Sequence, residues 1–266
     1  MTILSNIRNE FARRGVYLSK VTQDDDLMAF FRLVRPTAVD KPFIRIGGDF
    51  DGGYVAPDDL EGIEVCFSPG VSDIATFENA LAARGIRSFL ADYSVEQAPI
   101  SDRMISFQKK FLGVSDDETF MRLETWVRNN SVDGDLILQM DIEGAEYEVI
   151  LDTPRDVLHR FRILIIEFHG MERLFDRESF GTIRQVFKKL LESHYICHIH
   201  PNNADPAWSV RNFTVPRTLE FTFLRRDRSA VGMQPLSFPH ALDMPNIPDK
   251  KDIVLPECWH KAALEE

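Results

Sequence analysis

The stretch LILQMDIEGAEYEVIL, from Leu136 to Leu151, decides the fold. Its apolar beginning is typical of a parallel strand that is buried on both faces. Asp141, Glu143 and Glu146 follow where this strand ends. Ligands of open α/β sheets bind outside the carboxyl ends of the strands, so these carboxylates are candidate functional residues. Glu143 and Glu146 also suit the positive end of the next helix, and for Glu146 both interpretations stay open.

Strands and helices alternate on both sides of this stretch. The other predicted strands are Gly62–Gly70, Ile86–Ser94, Met104–Gly113, Phe161–Gly170, His194–Asn203 and Leu219–Asp227. Helical spacing predicts helices at Phe77–Gly85, Glu118–Asn130, Pro154–Arg160 and Phe180–His194. Repeated βα units predict an α/β fold, a seven-stranded, mostly parallel sheet with helices on both faces. Because a loop joins the last two strands, we expect an antiparallel strand at the edge.

The chain is predicted to have three parts: an N-terminal cap, a main domain that contains the alternating region, and a C-terminal arm. Residues 1–42 have helical spacing and are predicted to form an N-terminal helical cap. Residues 43–228 form the main domain, which begins with a hairpin at Phe43–Pro57 around an Asp-Gly-Gly turn. Asp49 and Asp51 in that hairpin either reach a ligand or satisfy their own backbone.

The remaining segment, residues 229–266, is rich in proline and is predicted to be an extended arm. Its large apolar side chains, Phe238, Leu242, Ile253, Leu255 and Trp259, need burial. Either the arm folds back on its own domain or a second copy covers it in a homodimer, which we favour.

Composition excludes several classes of function. The formal net charge of −11 argues against a nucleic-acid partner, because phosphate binding needs clustered Lys and Arg. Three scattered cysteines are too few for a disulfide framework and indicate a reducing cytoplasm. No apolar stretch approaches the roughly 20 residues that span a bilayer, so no membrane association is expected.

The loop after the first strand, from Ser68 to Leu81, is the predicted cofactor site. Gly70 permits a tight turn, and Ser72 or Asp73 can cap the following helix. With Gly70 as its only glycine, the loop lacks the GxGxxG pattern of NAD sites and also the Walker lysine. Asp92 ends the second strand and can accept hydrogen bonds from a ribose. An adenosine cofactor without phosphate, S-adenosylmethionine, fits this combination.

These motifs together resemble the FkbM family of S-adenosylmethionine-dependent methyltransferases. The resemblance rests on FSPGVSDIATFE, FLADYS, LILQMDIEGAEYEVIL and LIIEFHG, with GGDFDGGYV ahead of them, and covers roughly residues 43–225. It implies a class I methyltransferase (Rossmann-like) fold with the last strand antiparallel, and methylation of an oxygen, often on a sugar or polyketide. It also implies cofactor binding by Gly70, Ser72, Asp92, Tyr93 and Asp141.

Polar residues two apart at three strand ends indicate the chemistry: Asp141 with Glu143, Glu167 with His169, and His198 with His200. Members of each pair point to one side of the sheet. An alcohol is a poor nucleophile, so a base such as His169 or a divalent cation must activate it. Asp141, Glu167 and His169 are candidate ligands for Mg²⁺ or Mn²⁺. We predict His169, Asp141 and Glu143 as catalytic residues.

The loop after the sixth strand is the predicted acceptor site. His200, Asn202 and Asn203 offer donors and acceptors to sugar hydroxyls, or they close a turn. The chain is therefore predicted to be a cytoplasmic O-methyltransferase for a sugar, a polysaccharide or a glycosylated small molecule. Two alternatives are a non-catalytic cofactor-binding or regulatory protein and an NAD-dependent oxidoreductase, which the single-glycine loop disfavours.

Overall fold

The computed structural model describes residues 3–130, 133–232 and 236–261. Its helices are α1 (Ile3–Arg13), α2 (Asp24–Leu33), α3 (Thr76–Ala82), α4 (Leu123–Asn130), α5 (Glu146–Asp152), α6 (Arg155–Arg160) and α7 (Arg177–Leu191). Its strands are β1 (Phe43–Ile46), β2 (Tyr54–Pro57), β3 (Ile63–Pro69), β4 (Arg87–Ala91), β5 (Ile105–Gln108), β6 (Phe111–Gly113), β7 (Phe120–Arg122), β8 (Asp135–Met140), β9 (Phe161–Phe168), β10 (His194–Pro201), β11 (Trp208–Val210), β12 (Phe213–Val215) and β13 (Leu219–Arg225).

A seven-stranded sheet in the order β10-β13-β9-β8-β3-β4-β5 forms the centre of the molecule. Helices α2 and α4 to α7 pack on one face through the larger apolar core. Helix α3 and the β1–β2 hairpin cover the other face. Strands β8 and β9 have no exposed residue, as expected for strands covered on both sides. The predicted α/β class, with a mostly parallel sheet and helices on both faces, is confirmed.

The antiparallel strand is β13, the last strand of the chain, as the resemblance implied, and it lies one place in from the edge of the sheet. Strand β13 pairs antiparallel with β9 on one side and with β10 on the other. All seven of its residues are buried, which suits an inner strand. After β10 the chain forms β11 and β12, and it then returns to the sheet as β13 between β10 and β9.

The third predicted strand and the helix after it are both interrupted. Residues 104–113 form β5 in the main sheet and β6 outside it. The predicted helix at 118–130 begins with β7, which pairs with β6. The rings of Phe111 and Phe120 pack 5.8 Å apart across this pair, so tertiary contact overrides the helical pattern there.

The predicted hairpin is present, whereas the helical cap is not confirmed. Strands β1 and β2 pair antiparallel from Phe43–Pro57 to Ile46–Tyr54. Helix α2 buries Phe30 and Phe31 in the larger core. Residues 6–17, which include most of α1, are all exposed, so this part of α1 does not enter the core. Residues 1 and 2 lie outside the described residues.

The arm folds back on its own domain. Leu255 and Trp259 are buried, and the Trp259 ring packs 4.9 Å from that of Phe31. Because their own domain already buries Leu255 and Trp259, these two residues need no second copy to cover them. The homodimer and the domain boundaries at 42 and 228 stay predictions, and residues 262–266 of the arm lie outside the described residues.

Within residues 3–130, 133–232 and 236–261, no helix has both the length and the apolar character to cross a membrane. Cys66 and Cys197 are free and buried, which fits the predicted reduced thiols. The cytoplasmic location and the absence of a nucleic-acid partner stay predictions.

Replacing Trp259 tests how much the arm stabilises the domain. We expect Trp259→Ala to lower the free energy of unfolding by about 3–5 kcal/mol, because a fully buried indole leaves a cavity. Urea denaturation measures the change. Trp208→Ala is the matched control, since Trp208 is 54% exposed. Equal stability of the two variants would contradict the arm's place in the core.

Candidate active site

The cofactor loop leaves β3 at Gly70, where three strand ends meet. The Gly70 N–H donates to the carbonyl oxygen of Ala91 at the end of β4, at 2.9 Å. Gly70 has φ +85°, and a Cβ there would stand 1.5 Å from the carbonyl oxygen of Asp141. Only glycine fits this position, because both the conformation and the contact exclude a side chain. The end of β8 therefore lies directly against the loop.

Asp92 holds the cofactor loop in place. Its Oδ2 accepts a hydrogen bond from the Ser72 N–H at 2.8 Å, and its Oδ1 accepts one from the Ser94 N–H at 2.7 Å. Ser72 has φ +45°, a conformation that non-glycine residues rarely adopt. The Ser94 hydroxyl also donates to Oδ1 at 2.6 Å, so Oδ2 is the oxygen with a further lone pair for a ligand. The ribose-binding role of Asp92 stays a prediction.

A cavity of about 590 Å³ lies between the cofactor loop and the β1–β2 hairpin. The aromatic rings of Phe77, Phe111 and Phe120 form part of its wall. Tyr93, a predicted cofactor residue, packs against Phe111 and is not among the described residues that line the cavity. The described lining contains no lysine or arginine, and its carboxylates belong to Asp51, Asp73, Glu78, Asp92, Asp141 and Glu143.

Beside this cavity, Asp141, Glu167 and His169 come together as predicted for neighbouring strand ends. One ligand atom from each of the three lies within 4.8 Å of the other two. His169 Nε2 is 3.7 Å from Asp141 Oδ1, 3.8 Å from Glu167 Oε1 and 3.6 Å from Glu143 Oε2. Glu143 has φ +57°, and its side chain is 87% exposed. Oxygen and nitrogen donors in this arrangement suit a divalent cation.

Glu146 fixes the orientation of the histidine. Its buried Oε1 is 3.1 Å from His169 Nδ1 and also accepts hydrogen bonds from the N–H groups of Ile142 and Gly144. The contact assigns the proton to Nδ1, which leaves the lone pair of Nε2 facing the three carboxylates. Metal-bound histidines are commonly oriented by a carboxylate in this way.

The carboxylates around His169 carry more negative charge than this one histidine can neutralise. Burial raises the pKa of Asp141 to about 7, against the attraction of His169. Burial likewise raises the pKa of Glu167 well above its ordinary value. Burial lowers the pKa of His169, but the hydrogen bond and charge of Glu146 outweigh this and raise it. Protons or a cation must therefore compensate these carboxylates.

The three predicted acceptor residues are buried and contact their own chain. Asn202 donates to Glu167 Oε1 at 2.8 Å. Asn203 donates to the carbonyl oxygen of Ile247, and its own Oδ1 accepts from the Ile247 N–H. His200 lies 3.7 Å from Asp243, which raises the His200 pKa to about 9 although burial opposes it. Their roles in acceptor binding stay predictions.

Those contacts show what holds the arm against the sheet. Asp243 accepts a hydrogen bond from His198 Nε2 at 2.8 Å, and Asn246 donates to Glu220 at 2.6 Å. His198 and His200 do lie on one side of β10, as the spacing of two predicted. That side faces the arm and the hairpin, which the sequence pattern did not indicate.

The sequence left two residues of the site, Asp51 and Glu146, between two interpretations. Asp51 lines the cavity and also accepts a hydrogen bond from the N–H of Gly52. Glu146 begins α5 and also lies against His169, so both of its interpretations apply. The doubled glycines around Asp51 were the available signal, because they indicated a tightly packed loop.

Part of this chain is similar in sequence to a known family of enzymes. Residues 90–194 match the methyltransferase FkbM domain. This segment contains Asp92, Asp141, Glu167 and His169. The match confirms the resemblance and the enzyme class that it implied, an S-adenosylmethionine-dependent methyltransferase. No curated protein sequence gives a significant match.

Solved structures with similar folds include other methyltransferases. A putative S-adenosylmethionine-dependent methyltransferase from Listeria monocytogenes is 9% identical, with 62% of this chain and 92% of that chain covered and a TM-score of 0.37. The N-methyltransferase NodS from Bradyrhizobium japonicum WM9 is 11% identical, covers 62% and 87%, and has a TM-score of 0.33. A fibrillarin/Nop5p complex is 12% identical, covers 62% and 74%, and has a TM-score of 0.38. Sequence identities and TM-scores this low give no information about a shared substrate.

The contact between Glu146 and His169 allows a direct test of the orienting role. We expect Glu146→Gln to lower the pKa of His169 and to reduce the free energy of unfolding by about 1–3 kcal/mol, because buried donors lose a charged acceptor. Since the His169 pKa is raised in the folded chain, the contribution of this pair is present at low pH and lost as the pH rises through that pKa. NMR titration of His169 and urea denaturation measure both effects.

Glu148→Gln, an exposed change on the same helix, is the control. An unaltered His169 titration in the Glu146 variant would contradict the orienting role.

Proposed function

We propose that the chain transfers a methyl group from S-adenosylmethionine to a hydroxyl oxygen of a sugar, a polysaccharide or a glycosylated small molecule. We also propose that Asp141, Glu167 and His169 hold Mg²⁺ or Mn²⁺ next to the acceptor. One observation carries the proposal: Glu146 occupies Nδ1 of His169, so Nε2 faces the carboxylates at the rim of the cavity.

The donor set fits a divalent cation. Glu167 is only 3% exposed, and its Oε2 accepts no hydrogen bond from any described residue. Asp141 Oδ1 is also buried and without a hydrogen bond in the described structure. Buried carboxylate oxygens without partners are costly, whereas a cation would compensate their charge. Asn202 orients the other oxygen of Glu167, as a second residue commonly does for a metal ligand.

The reaction is an in-line displacement at the methyl carbon. The acceptor oxygen forms a bond to this carbon while the carbon–sulfur bond breaks, which leaves a methyl ether and S-adenosylhomocysteine. A bound cation supplies a Lewis acid that makes the hydroxyl more acidic. Glu143 takes the proton, because its carboxylate is exposed to the cavity and lies 3.6 Å from His169 Nε2. His169 and Asp141 hold this end of the site in position.

The cofactor lies along the cofactor loop in this proposal. Gly70 and Ser72 contact the methionine portion, and Asp92 accepts from a ribose hydroxyl with the lone pair that Ser72 leaves free on Oδ2. Phe111 and Phe120, which line the same end of the cavity, provide an apolar surface for adenine. Asn202 and the polar loop that follows it border the acceptor.

A second mechanism without metal is favoured by one observation, the absence of a hydrogen bond to His169 Nε2 from the described residues. In that mechanism Nε2 itself removes the proton. The raised pKa of His169 opposes it, since a protonated imidazole is not a base.

Asp92→Ala tests the cofactor site. We expect it to weaken S-adenosylhomocysteine binding by about 1–3 kcal/mol, because the ribose and the Ser72 loop lose a charged acceptor. Isothermal titration gives the affinity, and circular dichroism checks folding. Glu96→Ala, in the exposed part of the same loop, should bind normally. Full affinity in a folded Asp92 variant would refute this placement of the ribose.

Metal dependence is tested by transfer of labelled methyl groups to a panel of sugars and glycosides. EDTA should abolish transfer, and Mg²⁺ or Mn²⁺ should restore it, because the cation acidifies the hydroxyl. Asp141→Asn should also weaken Mn²⁺ binding in a direct titration. If chelator has no effect while His169→Ala lowers turnover by about 10²- to 10⁴-fold, the histidine is the base and the metal proposal is wrong.

A further inference from the structure

The loop of residues 47–53, here called the glycine loop, is fastened to the cofactor loop. Thr76 Oγ1 donates a hydrogen bond to the Gly52 carbonyl oxygen at 2.8 Å. A Cβ on Gly52 would lie 2.6 Å from Cγ2 of Ile74, so the Ile74 side chain packs directly on the Gly52 backbone. Any side chain at the tip of the glycine loop is therefore set at a fixed place relative to the cofactor loop.

The glycine loop is also rigid within itself. A Cβ on Gly53 would lie 2.0 Å from the Gly48 carbonyl oxygen, and one on Gly47 would lie 2.2 Å from that of Gly52. Arg45 donates to the carbonyl oxygens of Gly48 and Phe50 at 2.8 and 2.9 Å. The loop thus keeps its shape before any ligand binds, which reduces the entropy lost on binding.

Asp51 is the charged residue that this loop presents to the cavity. Its Oδ1 accepts from the Gly52 N–H at 2.9 Å, whereas no described residue donates to its Oδ2. The cavity wall nearby is formed by residues 70–74 of the cofactor loop.

The acidic lining of the cavity indicates which end of the cofactor lies against it. The methionine end of S-adenosylmethionine carries a carboxylate and an α-ammonium group. Because no lysine or arginine is among the described lining residues, the ammonium group is the part that this wall complements. Asp141 and Glu143 are both directed at His169, within 3.7 and 3.6 Å of its Nε2. Asp51 has an oxygen without a donor from the described residues, and the glycine loop holds it at a fixed place beside the cofactor loop.

We propose that Asp51 Oδ2 accepts a hydrogen bond from the α-ammonium group of S-adenosylmethionine. The assignment rests on the proposed function, since it presumes this cofactor in this cavity. It gives the glycine loop a role as a fixed clamp on the methionine end, distinct from the acceptor. No covalent change at Asp51 is involved.

Two ligands separate this contact from the rest of the cofactor site. S-Adenosylhomocysteine contains the α-ammonium group, whereas 5′-methylthioadenosine has the same nucleoside and sulfur but lacks it. Both are titrated into the full chain by calorimetry. Asp51→Asn should weaken S-adenosylhomocysteine binding about 10- to 100-fold, as expected for a charge-assisted hydrogen bond, and leave 5′-methylthioadenosine binding unchanged. Asp49→Asn removes the same charge from the same loop, outside the cavity lining, and should change neither affinity.

The other outcomes overturn the assignment in distinguishable ways. Equal weakening of both ligands by Asp51→Asn would mean that the residue supports the loop as a whole. Unchanged affinity for both would mean that Asp51 faces the acceptor. If the unmodified chain bound neither ligand, the proposed function would fail, and this assignment with it.

Discussion

A single oxygen atom, Oε1 of Glu146, organises the end of β8 and the site around it. It accepts from two backbone N–H groups of the turn that follows Asp141 and lies 3.1 Å from His169 Nδ1. A fully buried carboxylate is tolerated only when donors surround it, so the turn, the helix start and the histidine must form together. The left-handed conformations of Glu143 and Gly144 are held by this arrangement. Without it, neither Asp141 and His169 nor the cavity wall would have a defined position.

Much of the fold could be predicted from the sequence because buried parallel strands leave a clear signal. The runs that become β3, β8 and β9 are mainly apolar, and β8 and β9 lead into polar residues at the same edge of the sheet. The place of β13 in the sheet could not be predicted, because an apolar strand has the same sequence pattern at the edge and between two neighbouring strands. The β6–β7 pair was missed for a different reason: the contact of Phe111 with Phe120 is specific to the folded state.

The same distinction between local and distant contacts decides which residues of the candidate site could be predicted. Asp141, Glu167 and His169 lie at strand ends that the order of the sheet brings together, so spacing was enough to group them. Asp51 and Asp243 reach the sheet from the hairpin and the arm, far away in sequence, and no local pattern pairs them with their partners. His198 and His200 illustrate the limit, because their shared side of β10 was predicted but what covers it was not.

The burial of Trp259 has a consequence for the order in which the chain is built. Its ring contacts Phe30 and Phe31 from the start of the chain and Phe221 from the last strand of the sheet. Contacts between residues so far apart along the chain form slowly, because a long loop must close first. During synthesis at about 5–20 residues per second, α2 must wait many seconds for the indole that completes its packing. Until residue 259 has left the ribosome, the aromatic face of α2 is exposed, and the nascent chain is open to aggregation or to chaperones.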